Sequence, residues 1–292
     1  MRNTRTWRCL FAMLALVALL ATGCGSDDEK KPAQKAKKFP AGTTMAKLQD
    51  KGEITIGVKY DVPPFGFKNP QSGKIEGFDI ELGQAVAEKL GVKPRFIEAV
   101  SDNRIPFLER GTADLILSTM TINKERIQEI GFSEPYYIAR GRILVPKGSD
   151  IKGIDDLAGK RVCTALGSTY EETLRERPPK EDLKLVDSYS ECLELIQNKA
   201  VDAISTDDVI LTGMIIQDPS LVMVGPTLTT EPYGAGIKKG DTAFKEFVDG
   251  VVQEYKQDGR WAASYQKWVG RYTKVKQKPP TISLQEALKT SG

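Results

Sequence analysis

Short apolar segments alternate with amphipathic ones along the body of the chain. Residues 53–59 alternate apolar and polar positions, which predicts a β-strand. In residues 79–91 the apolar positions recur every three or four residues, which predicts a helix with Asp79 as its cap and Gly91 at its end. A second strand is predicted at 93–100.

The same order of elements continues to about residue 215. Further strands are predicted at 113–119, 161–165 and 201–206, and further helices at 105–111, from about 169, at 188–198 and from 207. Strands that alternate with helices favour an α/β fold with mostly parallel sheets.

Two segments resemble each other. Residues 111–119 and 199–206 each combine a helix end, a turn with an aspartate, an apolar strand and a Ser-Thr pair. This repetition predicts two α/β lobes of similar build. Ligands of such lobes bind at the carboxyl ends of the strands, so both Ser-Thr pairs are expected to face one cleft.

The first forty residues have the pattern of an export signal. Three arginines precede an apolar run at 10–20, and Cys24 follows small residues. This ending resembles a bacterial lipoprotein signal, although Ala21 stands where leucine is usual. The interpretation favoured is removal of residues 1–23 and lipidation of Cys24, with ordinary secretion as the alternative. Residues 24–44 then form a flexible tether.

Composition excludes several classes of function. Removing three arginines lowers Lys+Arg from 42 to 39, which equals the 39 Asp+Glu, so the mature chain is formally neutral. The sequence has no basic stripe with interleaved aromatic residues, which argues against nucleic-acid binding. The chain has no histidine, which excludes a Ser-His-Asp triad and a His-ligated metal. We therefore expect neither metal nor cofactor.

Two cysteines remain after the leader and Cys24 are set aside. Cys163 lies in a predicted strand and Cys192 in the first turn of a predicted helix. Because an exported compartment is oxidising, a disulfide is expected, with two buried free thiols as the alternative.

Four motifs occur in order, and together they resemble a known family. They are YDVPPFGF at 60–67, GFDIEL at 77–82, TMTINKER at 119–126 and FSEPYY at 132–137. The chain from about 51 to 272 resembles the family 3 extracellular solute-binding proteins of ABC transporters for polar amino acids. The resemblance implies two lobes that are joined by two hinge strands and close on one free amino acid. It also implies a permease and an ATPase as partners. From the chain itself we expect attachment to the cell membrane through Cys24, a monomer and no catalytic role.

The resemblance sets the expected domain boundaries. They are a leader at 1–23, a tether at 24–44, lobe 1 at 45–141 and 235–272, lobe 2 at 146–230, and a C-terminal tail at 273–292.

The resemblance also assigns the backbone of the ligand. Arg126 is expected to clamp the α-carboxylate with help from Thr121, since a guanidinium matches a carboxylate with two parallel hydrogen bonds. Asp207 and the Thr119 carbonyl are expected to hold the α-ammonium. The alternatives are a surface arginine for Arg126 and a helix N-cap for Asp207, while Asp208 is expected to face solvent.

Two further groups complete the expected site. Gly167, Ser168 and Thr169 precede a helix, so their amides are expected to form an anion-binding nest, or else a plain turn. Tyr60 and Phe65 are expected to cover the aliphatic part of the ligand, with core packing as the alternative for Phe65.

Two cations decide the expected specificity. Lys59 ends the first strand, and Arg104 lies in a segment that resembles acidic-amino-acid binders. They favour glutamate or aspartate, with glutamine or asparagine as the alternative and a pair of neutralised surface charges as another. Amino-acid sensing for a membrane receptor and an enzyme on the same fold are further alternatives.

Overall fold

The computed structural model describes residues 38–176 and 180–291. The leader, Cys24 and most of the tether lie outside the described residues. The helices are α1 Thr44–Lys51, α2 Phe78–Leu90, α3 Arg104–Arg110, α4 Arg126–Glu129, α5 Thr169–Glu176, α6 Tyr189–Gln197, α7 Asp208–Gln217, α8 Thr242–Gln257, α9 Arg260–Tyr265, α10 Arg271–Thr273 and α11 Leu284–Thr290. The strands are β1 Glu53–Val58, β2 Asp61–Val62, β3 Gly66–Lys68, β4 Ile75–Glu76, β5 Lys93–Glu98, β6 Leu115–Ile116, β7 Gly131–Phe132, β8 Tyr137–Pro146, β9 Arg161–Ala165, β10 Asp182–Val186, β11 Ala203–Asp207, β12 Leu221–Val224, β13 Thr230–Tyr233 and β14 Gly236–Ile237.

Two main sheets share one strand order, as the repeated segments predict. The first sheet is ordered β5-β1-β6-β14-β7, and the second β10-β9-β11-β8-β12. In each, the first three strands run parallel, and the fourth runs antiparallel to its neighbours. The third positions are held by β6 and β11, which carry the two similar segments. The chain therefore has two lobes of the same build.

Two strands carry the chain between the lobes. β8 leaves lobe 1 and enters the second sheet, and β13 returns to β14 in the first sheet. They pair antiparallel, with Arg140 opposite Thr230 and Tyr137 opposite Tyr233. Opening and closing of a cleft between the lobes must therefore act through this strand pair.

Some elements differ from those that the sequence predicts. The strand predicted at 113–119 is only β6 within the sheet, because the chain turns away and Thr119 has a φ of 45°. The N-cap of α2 is Gly77 rather than Asp79. The expected tail includes α11, whose Leu284 and Ala287 are buried in a lobe 1 core cluster.

A disulfide joins Cys163 on β9 to Cys192 on α6, as predicted. The Cα atoms are 5.6 Å apart, and the sequence separation is 29. Both side chains are fully buried. The bond therefore fastens α6 to the central strands of lobe 2.

Removing this disulfide should destabilise the protein without changing its fold. We expect the double substitution Cys163→Ala and Cys192→Ala to lower the free energy of unfolding by about 3.5 kcal/mol, because the unfolded chain loses a closed loop. Urea denaturation measures the change, with wild type refolded under reducing conditions as the matched control. An unchanged unfolding free energy would contradict this role.

Candidate functional site

A polar cleft lies between the two lobes near the connecting strands. Five of its lining residues come from lobe 1 and five from lobe 2, in both cases next to the carboxyl ends of strands or at helix starts. They are Ser101, Arg104, Thr119, Thr121 and Arg126, and Ser168, Thr169, Tyr170, Tyr189 and Asp207. The structure thus brings together seven of the residues that sequence analysis selects, and adds Ser101, Tyr170 and Tyr189.

Arg126 crosses the cleft from the start of α4. Its backbone N–H donates to Asn123 Oδ1 at 2.9 Å, which fixes this helix turn. The guanidinium donates to the Thr121 carbonyl in lobe 1 at 2.9 Å and to the Gly167 carbonyl in lobe 2 at 3.1 Å. Only 8% of Arg126 is exposed, so the surface alternative is wrong. Burial lowers its pKa.

Arg104 forms a second bridge to the same carbonyl. It donates to the carbonyl oxygens of Ser101, Ser118 and Thr119 at 2.9, 3.1 and 3.2 Å, and to that of Gly167 at 3.2 Å. All four acceptors are neutral, so none of these hydrogen bonds pairs the positive charge with a carboxylate.

Lys59 is buried behind Ser101 and is not a lining residue. Its Nζ donates to Ser101 Oγ at 2.8 Å and lies 5.6 Å from the ring centre of Tyr189. Burial, followed by the charge of Arg104, lowers the pKa of Lys59 to about 7, while Asp61 opposes the shift. Lys59 and Arg104 are buried, at 1% and 3% exposure, so the alternative of surface charges is wrong.

Asp207 is the acidic group of the lining. Its Oδ1 accepts a hydrogen bond from the Tyr170 hydroxyl at 2.7 Å, and its side chain makes no cap bond to α7. Asp207 is therefore the N-cap residue of α7 by position, as the alternative states, but its carboxylate does not cap the helix. Burial and the charge of Glu231 raise its pKa to about 8. Asp208 is half-buried rather than solvent-facing, and accepts the Arg140 N–H at 3.2 Å.

A buried carboxylate supports Thr119. Asp79 Oδ2 accepts the Thr119 N–H at 2.9 Å, and Oδ1 accepts the Tyr136 hydroxyl at 2.8 Å. These bonds hold Thr119 in a left-handed conformation that is costly outside glycine. Burial raises the pKa of Asp79 to about 7. Sequence analysis treats Asp79 only as a helix cap and misses this contact.

The expected amide nest is different in the structure. The Gly167 N–H donates to Glu171 Oε2 at 2.8 Å, and the Ser168 N–H donates to the Ala165 carbonyl at 3.2 Å. These two donors are used within lobe 2 in this conformation, so a ligand anion would have to replace Glu171 and the Ala165 carbonyl, and the nest stays a prediction. Gly167 contributes its carbonyl instead, as the acceptor of the two arginines.

The two expected aromatic residues lie outside the lining. Phe65 is fully buried, and its ring centre is 4.9 Å from that of Tyr137 and 5.3 Å from that of Phe78. Phe65 is therefore a core residue, which is the alternative given for it above. The Tyr60 hydroxyl donates to the Phe96 carbonyl at 3.0 Å, which keeps it on lobe 1.

Comparison with known proteins decides the family. Residues 54–271 match the model of the bacterial extracellular solute-binding proteins, family 3. The chain belongs to this family. Two features of the structure agree with that membership. The chain forms two lobes of the same build, and charged and hydroxyl side chains line the cleft between them.

Relatives of this solute-binding protein include two named for glutamine. The glutamine-binding protein of an ABC transporter from Bacillus subtilis is 37% identical over 88% of this chain and 96% of its own. A glutamine-binding protein from Geobacillus stearothermophilus is 38% identical over 82% of this chain and 95% of its own. Proteins named for glutamate, with or without aspartate, match at 27–30% identity.

A solved structure with the same fold is an ancestral arginine-binding protein bound to glutamine. It has a TM-score of 0.72 and 38% identity, and covers 75% of this chain and 98% of its own. Within the described residues of our solute-binding protein, no helix is long and apolar enough to cross a membrane. No group of three or more histidine, cysteine, aspartate or glutamate residues there could hold a metal ion.

Proposed function

We propose that this solute-binding protein captures free L-glutamine outside the cytoplasm and delivers it to the permease and ATPase of an ABC transporter. The observation that carries the proposal is the charge balance of the cleft. Six buried basic or carboxylic side chains of the described residues line the cleft or hydrogen-bond to its lining: Lys59, Arg104 and Arg126, and Asp79, Asp207 and Glu231. When the bound α-ammonium keeps Asp207 ionised, these three cations and three anions cancel, because the pKa values of Lys59 and Asp79 are both shifted to about 7 and their charges offset each other.

A neutral zwitterion preserves that balance, whereas an acidic amino acid adds an uncompensated negative charge. Burial of unpaired charge is costly, so the balance favours an amide side chain. The expectation of an acidic ligand counts Lys59 and Arg104 but not the buried acids Asp79 and Glu231. The two relatives at 37–38% identity, both named for glutamine, support the same alternative.

Arg126, Asp207 and Thr119 are proposed to hold the ligand backbone as the family resemblance implies. The Arg126 guanidinium would exchange its Gly167 contact for the α-carboxylate. The carboxylate of Asp207 and the Thr119 carbonyl would take the α-ammonium. Lys59, through Ser101, and Arg104 would then face the side-chain end, where an amide oxygen accepts from a cation.

Three further aspects are part of the proposal. The mature chain is anchored to the cell membrane by a lipidated Cys24, acts as a monomer and has no catalytic role. A structural relative described as a precursor of cyclohexadienyl dehydratase marks the enzyme alternative.

Glutamate is the second candidate. Within the described residues, the cations at the side-chain end, Lys59 and Arg104, donate only to neutral oxygens, so a ligand carboxylate could pair with them. Lys59→Met tests the choice. We expect it to weaken glutamate by ~1.5–3 kcal/mol, since the positive charge behind Ser101 is lost, and glutamine by less than about 1 kcal/mol. Calorimetric titration of both ligands measures this, and Lys68→Met, at an exposed lysine of the same lobe, is the control.

Arg104→Ala should show the same preference, but less cleanly, because Arg104 also holds the Ser118 and Thr119 carbonyls. If wild type binds glutamate more tightly than glutamine, the glutamine assignment is wrong and glutamate is the ligand. Equal losses for both ligands in Lys59→Met would show that Lys59 does not select the side chain.

A further inference from the structure

We propose that Glu231 is a closing residue: through Thr121 and Thr169 its carboxylate fastens the two lobes over the bound ligand and sets how slowly that ligand leaves. The inference rests on the proposed capture of an amino acid and adds a residue that sequence analysis does not select. It concerns the lifetime of the closed state rather than the choice of ligand.

The carboxylate of Glu231 accepts hydrogen bonds from three hydroxyl groups. Its Oε2 receives the Thr121 hydroxyl at 2.6 Å and the Thr169 hydroxyl at 3.1 Å. Its Oε1 receives the Thr229 hydroxyl at 2.6 Å. Glu231 is only 1% exposed, so these bonds to a charged acceptor form away from bulk water and are strong.

Two of these partners, Thr121 and Thr169, come from different lobes. Thr121 follows β6 in lobe 1 and forms a β-bridge with Tyr233, so it stays beside β13. Thr169 begins α5 in lobe 2. Glu231 itself lies on β13, opposite Ala139 of β8. When the lobes separate, Glu231 keeps Thr121 and loses Thr169, so the Thr169 bond belongs to the closed state.

The position of this bridge fits a closing role. Thr121 and Thr169 line the cleft, and with Glu231 they also line the groove outside it, next to Asn123 and Glu172. The hydrogen bonds from Thr121 and Thr169 to Glu231 therefore separate the cleft from the outer groove.

Release kinetics test the proposal. We expect Glu231→Ala and Thr169→Val each to raise the release rate koff of glutamine about ten- to hundredfold, with the association rate changed less than about threefold. Glutamate should be affected by the same factor, because Glu231 does not face the side chain. Thr169→Ser, which keeps the hydroxyl, should release glutamine more slowly than Thr169→Val.

Two controls separate closing from general stability. Thr229→Val removes a hydroxyl bond that does not cross the cleft, so it should lower the melting temperature but leave koff unchanged. The double variant Glu231→Ala/Thr169→Val should release glutamine no faster than the faster single variant, because both remove one shared bond. Glu231→Gln, which keeps the side-chain volume, replaces Glu231→Ala if that variant does not fold.

Three results would overturn the proposal: an unchanged koff, additive effects in the double variant, or equal acceleration by Thr229→Val. Absence of binding to any amino acid would instead contradict the proposed function. In that case small-angle X-ray scattering without ligand decides: Glu231→Ala should have a larger radius of gyration than Thr229→Val, and equal radii overturn the closing role.

Discussion

Arg126→Ala should abolish or strongly weaken binding of every amino acid. The guanidinium is buried and already spans both lobes through Thr121 and Gly167, so it is positioned for the α-carboxylate that all amino acids share. Removing one partner of a buried charged pair costs ~2–5 kcal/mol, or roughly thirty- to several-thousand-fold in affinity. Calorimetry with glutamine and glutamate measures the loss.

The matched control is Arg95→Ala, because Arg95 forms an exposed ion pair with Glu53 on the first sheet and is far from the cleft lining. Its affinity should equal that of wild type. Arg126→Lys should recover only part of the lost affinity, because an ammonium lacks the forked geometry of the guanidinium. Full affinity in Arg126→Ala would contradict the assignment of the carboxylate site.

Asp207→Asn should weaken all amino acids by a comparable ~2–5 kcal/mol, because the α-ammonium loses the one carboxylate that the described residues place in the lining. The neighbouring Asp208→Asn is the control, since Asp208 accepts the Arg140 N–H outside the lining. Equal affinities in both variants and wild type would contradict the ammonium site.

The pKa of Asp207 adds a pH signature. Without ligand, burial and Glu231 raise this pKa to about 8, so much of the carboxyl is protonated at neutral pH. The ammonium binds the ionised form and lowers the pKa, so binding releases a proton and affinity rises as pH increases towards 8. Calorimetry in buffers of different ionisation enthalpy detects this proton in wild type, and Asp207→Asn should lose that contribution.

Sequence alone predicts the two lobes because their signal is local. Alternating strands, helices of three-to-four periodicity and the repeated segments at 111–119 and 199–206 all depend on neighbouring residues. The disulfide is also predictable, since an oxidising compartment leaves Cys163 and Cys192 as partners. The long helix α8 has its own periodicity, with Val248, Val251 and Tyr255 buried, and sequence analysis leaves it out.

The buried acids are the part of the site that sequence does not reveal. Asp79 occupies a position typical of a helix cap, and Glu231 a strand position typical of an exposed side chain. Only tertiary contacts with Thr119, and with Thr121 and Thr169, bring them to the cleft. Without them the cleft has an excess of cations, which explains why sequence analysis favours an acidic ligand.

The loop at 167–169 differs from the predicted nest because of a residue only four positions later in the chain. The glycine and hydroxyl residues at 167–169 are typical of an anion nest. However, Glu171, one turn later, accepts the Gly167 N–H, which leaves its carbonyl for the arginines. The pattern of residues 167–169 alone does not show this competition between a side chain and a ligand for the Gly167 amide.

Calorimetric titration of the mature wild-type chain with the common L-amino acids tests the central claim most directly. We predict one site per chain, with glutamine as the tightest ligand, glutamate and asparagine weaker, and no binding of D-glutamine. Binding of no free amino acid would contradict the account of this cleft.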